Sequence, residues 1–369
     1  MNNIVKMIIG AAVATIVLIS MIPLMTPLVE PPKSEEWYFD DYRPCANNVE
    51  ASGAFEIVSY DGHHYIHAKD VGTGTINGVE YSVSKAPLEI FVLWGQSNAA
   101  YYQEDVSIVN KECTKCTSRA YYFGTLSEPL AILSPSPLST NLEDCTIQSS
   151  ANPDGSWRIG NIEAPFESVI CKFNKEHSRP YVINVGVGGQ RLDYFTQGNP
   201  GYTLMNSAIP AAISSIDLDH FEISYGAWIM CQGEANTSTS IAQYISDFEM
   251  VRTTLSSLSF NEGLIIQTVE KDGVNSSVAQ SIIVDTYSGV HWGSTKTQGF
   301  SIANGLLISD NKHYSQMGDN ILGADCAETW LMLSGNNFEY TGQSLVYVIV
   351  PLVLLAILVC VARAALSRS

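Results

Sequence analysis

Residues Ile90-Phe-Val-Leu-Trp94 form an uninterrupted apolar run that ends in Gly95-Gln96-Ser97-Asn98. A strand apolar on both faces must be covered on both sides, which is the habit of parallel strands inside an α/β sheet and not of hairpins with one wet face. A serine in a glycine-containing turn just past such a strand is exposed at the crevice where open α/β sheets bind ligands. Gly-x-Ser-Asn is also an ordinary way to cap a helix. The rest of the chain has to decide between the two.

Further strands are expected at Pro180–Val185, Phe221–Cys231, Gly263–Val269 and, more briefly, Gly305–Ser309. Helices are expected at Ala164–Glu176, Ser238–Leu258, Ser276–Tyr287 and Tyr314–Leu333. Strands alternating with helices imply a parallel sheet with helices on both faces. The fold class expected is therefore α/β, a three-layer α/β/α sandwich with a central parallel sheet. Ahead of it, positions 30–86 combine a Pro- and Glu-rich linker with short alternating segments and an Asn77-Gly78 turn, a hairpin signal. This is a small β-rich N-terminal lead-in. The stretch Glu104–Trp157, rich in Ser, Pro, Thr and Cys, reads as loops and short strands near the cleft mouth. No repeat suggests a solenoid or propeller.

Asp310 and His313 lie just beyond Gly305–Ser309. A serine is a poor nucleophile until an imidazole takes its proton, and the imidazole needs a carboxylate to fix its tautomer. Asp-x-x-His lets both side chains enter one cleft, although the same pair caps helices. Two strand ends between these elements carry glycine: Gly186-Val187-Gly188-Gly189 and Gln232-Gly233-Glu234-Ala235-Asn236. Backbone N–H groups in such turns, with a side-chain amide, suit a developing oxyanion. The first turn could instead cradle phosphate, but the full dinucleotide fingerprint is missing.

Taken in order, Gly-Gln-Ser-Asn, Gly-x-Gly-Gly, Gln-Gly-Glu-x-Asn and Asp-x-x-His resemble the SGNH hydrolase superfamily, most closely its sialate O-acetylesterase and carbohydrate acetylesterase branch. The resemblance spans Leu88 to Leu333 and implies the three-layer fold. It also implies Ser97 as nucleophile, His313 as general base and acid, and Asp310 as the residue orienting the imidazole. The oxyanion hole would be the N–H groups of Ser97 and Gly189 with the amide of Gln232. Asn236 is an alternative to Gln232, and Gly188 to Gly189. Gln96, Asn98, Gly188 and Glu234 would touch substrate or support the site. No metal or organic cofactor is implied, and the substrate would be an O-acetylated glycan. Met230-Cys231 departs from the Trp-His often found before Gln-Gly-Glu, which alters a pocket wall.

The ends of the chain are apolar over positions 7–29 and 344–364, each near the ~20 residues that span a bilayer. With Lys6 before the first run and Arg363 and Arg368 at the end of the second, both short tails (1–6 and 365–369) are expected inside. The esterase-like domain, 87–335, and its linker, 336–343, would then lie outside, at a cell surface or on a viral envelope. The fold is thus expected to be flanked by two transmembrane helices, with the lipid bilayer as a partner. The first run could also be a signal peptide, though no clear small-x-small site follows it. With 19 basic and 37 acidic residues the net charge is −18, which argues against nucleic acid as a partner. A reading from another class is a surface-displayed glycan-binding or envelope attachment protein with this fold and little turnover.

An exterior location favours disulfides among Cys45, Cys113, Cys116 and Cys145, with Cys171 and Cys231 as buried thiols; Cys326 is the seventh cysteine of this region and Cys360 lies in the second apolar run. A zinc site from Cys113 and Cys116 with two further ligands is the other option. His63, His64 and His67 cluster beside an Asp61-Gly62 turn and read more simply as strand and turn than as ligands. His291-Trp292 would be a rival base or a substrate-contacting wall, and the base reading is the weaker because the nearest aspartate, Asp285, is not at Asp-x-x-His spacing. Asn236 and Asn275 head glycosylation sequons, and a glycan on Asn236 would obstruct the cleft.

Overall fold

The computed structural model describes residues 36–60, 62–99, 121–122, 131–132, 149–151, 157–158, 162–173, 178–269 and 274–335. The lead-in contains β1 (Trp37–Tyr38), β2 (Tyr42–Cys45), β3 (Ala51–Gly53), β4 (Phe55–Tyr60), β5 (His63–Ala68), β6 (Gly72–Ile76) and β7 (Val79–Ser84). They form two small sheets, β1-β7-β6-β3 and β2-β5-β4. Asn77 and Gly78 both take positive φ, 49° and 78°, as a tight two-residue hairpin turn requires. Trp37, Phe55, Ile66, Ala68 and Val83 make a separate small core, with the Trp37 and Phe55 rings edge to face at 5.0 Å.

The main sheet contains β8 (Ala86–Gly95), the short β9 (Tyr121–Tyr122) and β10 (Ala131–Ile132), then β13 (Arg179–Asn184), β14 (Phe221–Cys231), β15 (Glu262–Ile266) and β16 (Val290–Ser294). A further two-stranded ribbon joins β11 (Ser149–Ala151) to β12 (Trp157–Arg158). The sheet order is β10-β9-β13-β8-β14-β15-β16, parallel throughout except for the β10–β9 edge. Among the long strands the first in the chain, β8, is flanked by the second and third, β13 and β14. Successive connections therefore leave β8 in opposite directions, and a crevice opens at the carboxyl ends of β8 and β14.

Strand β8 shows why the sheet is covered twice. Ile90, Val92 and Trp94 join the core made with α2 (Pro200–Ser214), α3 (Ile241–Ser257) and α4 (Asn275–Thr286). Phe91 points the other way, edge to face with Phe166 of α1 (Glu163–Phe173) at 4.9 Å and with Trp330 of α5 (Gln316–Leu333) at 5.7 Å. All five residues of the run are buried. Burying a large apolar side chain of this kind stabilises a fold by ~1.5–3 kcal/mol.

Several expectations shift. Helix α3 begins at Ile241 because Ser240 accepts the Gln243 N–H at 3.2 Å, and α5 begins at Gln316 because Ser315 accepts that of Gly318 at 3.2 Å. Gly305–Ser309 is not a strand: the N–H groups of Leu306 and Leu307 turn back onto the Ser301 carbonyl, and only Leu307 makes an isolated bridge, to Tyr314. Helix α2 and strand β16 were not foreseen. The first opens with Pro200 at its start, where a missing N–H costs nothing, and buries Met205, Ala208, Ile209 and Ala212 at helical spacing. Cys45 is a free thiol and not a disulfide half, packed as a small apolar group against the lead-in core, and Cys231 and Cys326 are buried free thiols. Cys113, Cys116, Cys145 and Cys360 lie outside the described residues, as does most of Glu104–Trp157. Among the described residues no helix is long and apolar enough to cross a membrane; both candidate spans fall outside them.

Candidate active site

Gly95 ends β8 at φ 138°, and a Cβ there would overlap the carbonyl of Cys231 on β14. Glycine is required for the two strands to stay in register, Gly95 opposite Cys231, up to the turn. The chain then bends: Gln96 donates its N–H to the Cys231 carbonyl at 3.1 Å, and Ser97 stands at the crevice. On the other side, the chain after β13 keeps alongside β8. Val185 N–H bonds the Leu93 carbonyl at 2.8 Å and Val187 N–H that of Gly95 at 2.9 Å. That register carries Gly188 to Ser97, close enough that a Cβ on Gly188 would lie 3.9 Å from the serine Cβ.

His313 reaches Ser97 from a loop over residues 301–315. Its Nε2 lies 2.7 Å from Ser97 Oγ, and its Nδ1 is hydrogen-bonded to Asp310 Oδ2. Asp310 Oδ1 accepts the backbone N–H groups of Lys312 at 2.9 Å and His313 at 3.0 Å. Burial alone would raise the Asp310 carboxyl, but the His313 N–H, the imidazole and the Lys312 N–H outweigh it and hold the group below the ordinary aspartate value. Asp310 is therefore an ionised acceptor at neutral pH, and its hydrogen bond places the Nδ1 proton so that Nε2 faces the serine as a base. Ser97, His313, Lys312, Gln96, Asn98, Glu234 and Ala235 line a cleft of about 150 Å³.

The groups expected to form an oxyanion hole fall into two sets. Among the described residues nothing accepts the backbone N–H of Ser97, Gly188 or Gly189. Gly189 turns at φ 71°. The Gln232 amide, 1% exposed, donates instead to the Gln190 carbonyl at 2.9 Å. Asn236, fully buried, accepts Leu192 N–H at 2.9 Å and donates to Thr239 Oγ1 at 3.0 Å. Neither amide lines the cleft; both fix the backbone of the segment that follows Gly189. The burial of Asn236 also closes its sequon to a glycan.

Glu234, buried beside the cleft, receives the Gln96 amide on Oε2 and the Val269 N–H on Oε1 at 3.3 Å. His291 pairs with Glu262 at 3.2 Å, at the strand end opposite Ser97. His67 lies between Asp40 at 3.0 Å and Glu56 at 2.9 Å, while His64 faces Ser59 at 2.9 Å. Among the described residues no group of three His, Cys, Asp or Glu is arranged to hold a metal ion. Sequence reasoning missed the Asp-x-x-His at Asp217–His220, whose only sequence signal was its spacing. Its imidazole Nδ1 lies 2.7 Å from Asp217 and its Nε2 3.0 Å from Asp70.

No family model and no curated protein matches the chain. Solved structures that resemble it include a protein from Arabidopsis thaliana, 17% identical, covering 67% of this chain and 98% of its own, at a TM-score of 0.47. NanS is 12% identical, with 69% of this chain and 99% of NanS covered, at 0.46. A carbohydrate acetylesterase from Xanthomonas citri is 13% identical, with 79% and 71% covered, at 0.38. At such identities the chemistry has to be argued from the side chains.

Proposed function

We propose that this chain is a serine esterase that removes O-acetyl groups from carbohydrates. The observation that carries the reading is the 2.7 Å contact between Ser97 Oγ and His313 Nε2, with the Asp310 carboxylate on the other ring nitrogen. In this reading Nε2 takes the serine proton as Oγ attacks the acetyl carbonyl carbon. The oxygen that becomes negative is met by the N–H groups of Ser97 and of Gly188 or Gly189, each such donor being worth ~10²–10³ in rate. Collapse breaks the ester C–O bond, and the sugar oxygen leaves with the proton from His313. Water, deprotonated by the same imidazole, then attacks the acetyl-serine, and acetate departs as the serine regains its proton.

The preference for sugar esters is supported by the order and identity of the four motifs. Display is supported by the apolar runs at 7–29 and 344–364 and by the basic residues beside them, which together would hold the domain outside a membrane with both tails inside. The test is acetate release by the full-length chain in detergent from p-nitrophenyl acetate, O-acetylated sialic acid and acetylated xylan, beside Ser97→Ala. Turnover that vanishes in Ser97→Ala, with a sugar ester preferred, supports the reading. A folded wild-type chain that hydrolyses none of the three refutes it.

A further inference from the structure

Ser97 sits between Gln96 and Asn98, His313 between Lys312 and Tyr314, and the two sets of neighbours hold each other. Asn98, 6% exposed, donates Nδ2 to the Lys312 carbonyl at 3.2 Å and accepts the Tyr314 N–H on Oδ1 at 3.3 Å. A carboxamide offers one donor side and one acceptor side, as a peptide unit does. Here it takes the place of a neighbouring strand across the backbone on both sides of His313. Gln96 forms a second strap. Its Nε2 donates to Glu234, whose other oxygen lies 3.5 Å from the Tyr314 hydroxyl, and its Oε1 accepts the Ala235 N–H at 3.1 Å.

Among the described residues, the backbone-to-backbone hydrogen bonds of the loop that carries His313 stay within the loop and the start of α5. Ile308 N–H bonds the His313 carbonyl at 3.0 Å, and Ser315 N–H that of Leu306 at 3.0 Å. Such a loop keeps its own shape, and side-chain bonds to the turn after β8 set where it stands against the sheet. The Asn98 carboxamide makes such bonds at the two residues adjoining the imidazole.

We propose that Asn98 is a positioning residue: its carboxamide clasps the backbone at Lys312 and Tyr314 and so sets the distance from Ser97 Oγ to His313 Nε2. This rests on the esterase reading of the site. A shift of ~1 Å in a reacting pair costs ~10²-fold in rate. In the full-length chain, Asn98→Ala is expected to lower kcat on p-nitrophenyl acetate by ~10–100-fold with KM within about twofold, because the carboxamide acts through His313 and not on the ester. Asn98→Asp, equal in size, is expected to lose at least as much, since a carboxylate oxygen then faces the Lys312 carbonyl. A role in packing alone would leave Asn98→Asp near wild type.

The latch also has a readout that needs no turnover. Hydrogen exchange at the Tyr314 amide is expected to accelerate at least ~10-fold in Asn98→Ala, which takes away the Asn98 acceptor. An active wild type whose Asn98→Ala and Asn98→Asp variants keep kcat overturns the latch and leaves the esterase reading intact. An inactive wild type whose Tyr314 exchange accelerates in Asn98→Ala overturns the esterase reading and leaves the latch. Unchanged exchange in folded Asn98→Ala overturns the latch in either case.

Discussion

Two aspartate–histidine pairs of identical spacing stand at opposite ends of the central strands. At the carboxyl end, Asp310 and His313 face the crevice; at the amino end, Asp217 and His220 lie just before β14. The local geometry is the same. In each, the imidazole Nδ1 meets the aspartate three residues earlier, and the other carboxylate oxygen accepts a backbone N–H two residues on, from Lys312 at 2.9 Å or Asp219 at 3.0 Å. The difference is the second ring nitrogen. His313 Nε2 meets a hydroxyl at 2.7 Å, whereas His220 Nε2 meets the carboxylate of Asp70 at 3.0 Å.

Asp217's hydrogen bond, against partial burial, together with Asp70 holds His220 above the ordinary histidine value. An imidazole whose two ring nitrogens both face carboxylates presents neither of them to a hydroxyl and is not placed to serve as a base. It is suited instead to joining the lead-in, through Asp70, to the main sheet. The same end carries Arg179, at the start of β13, which is 2.9 Å from Asp41 and 3.6 Å from Asp40 of the lead-in. Phe39 completes the docking, its ring packed on His220 at 4.3 Å and on Phe221 at 5.4 Å. One end of the strands is thus closed by paired charges and aromatic rings, while at the other the N–H groups beside the Ser97 hydroxyl have no acceptor among the described residues.

The strongest way to break this contrast is to remove equivalent carboxylates. Asp310→Asn is expected to lower kcat by ~10⁴-fold, because the neutral amide leaves the imidazole in the wrong tautomer, and Ser97→Ala by at least as much. Asp217→Asn is expected to leave kcat within about twofold, so steady-state rates of the three variants decide whether the two pairs differ in kind. Next in size is Arg179→Met, which leaves the buried Asp40 without its guanidinium. A loss of about 3 kcal/mol in unfolding free energy is expected from denaturant titration, with kcat of the remaining folded protein unchanged.

Smaller effects separate the pairs by pH. The folded value of His220 is raised, so its contribution to stability is present below the unfolded value and is lost as pH rises through the folded one. The Tm deficit of His220→Gln should therefore shrink toward alkaline pH. Asp310 is the reverse: its folded value is lowered, so its contribution is present above the unfolded value and fades as pH falls through the folded one. A Tm deficit that ran the same way in His220→Gln and Asp310→Asn would contradict the contrast. The smallest shift expected is that of the His220 titration midpoint in Asp70→Ser, read by NMR. It should move down, but only in part, because Asp217 is the larger cause.

Much of the fold was legible where the signal is local. Asn77-Gly78 announces its hairpin because few other residues tolerate positive φ at both positions. Phe221–Cys231 is found at the bounds expected from its apolar run. Signals fail where the same pattern suits two structures. Gly305–Ser309 is as apolar as a short strand, but its N–H groups find a carbonyl in their own loop before they can find a sheet edge. Gln232 and Asn236 were legible as amides near the crevice, not as supports behind it, since residue type does not say which way a buried amide turns.

The sequence by itself determined what depends on neighbours along the chain: strand and helix periods, the turn after β8, and an aspartate three residues before a histidine. It specified that last feature three times, at Asp61–His64, Asp217–His220 and Asp310–His313, and only the order of the motifs favoured the last. Only the tertiary structure decided that Ser97 meets His313 and Asp70 meets His220, because those contacts cross 216 and 150 residues of chain. Contacts at such separation are set by which strands the buried sheet places side by side, and the order β13-β8-β14 brings the ends of three distant segments to one crevice.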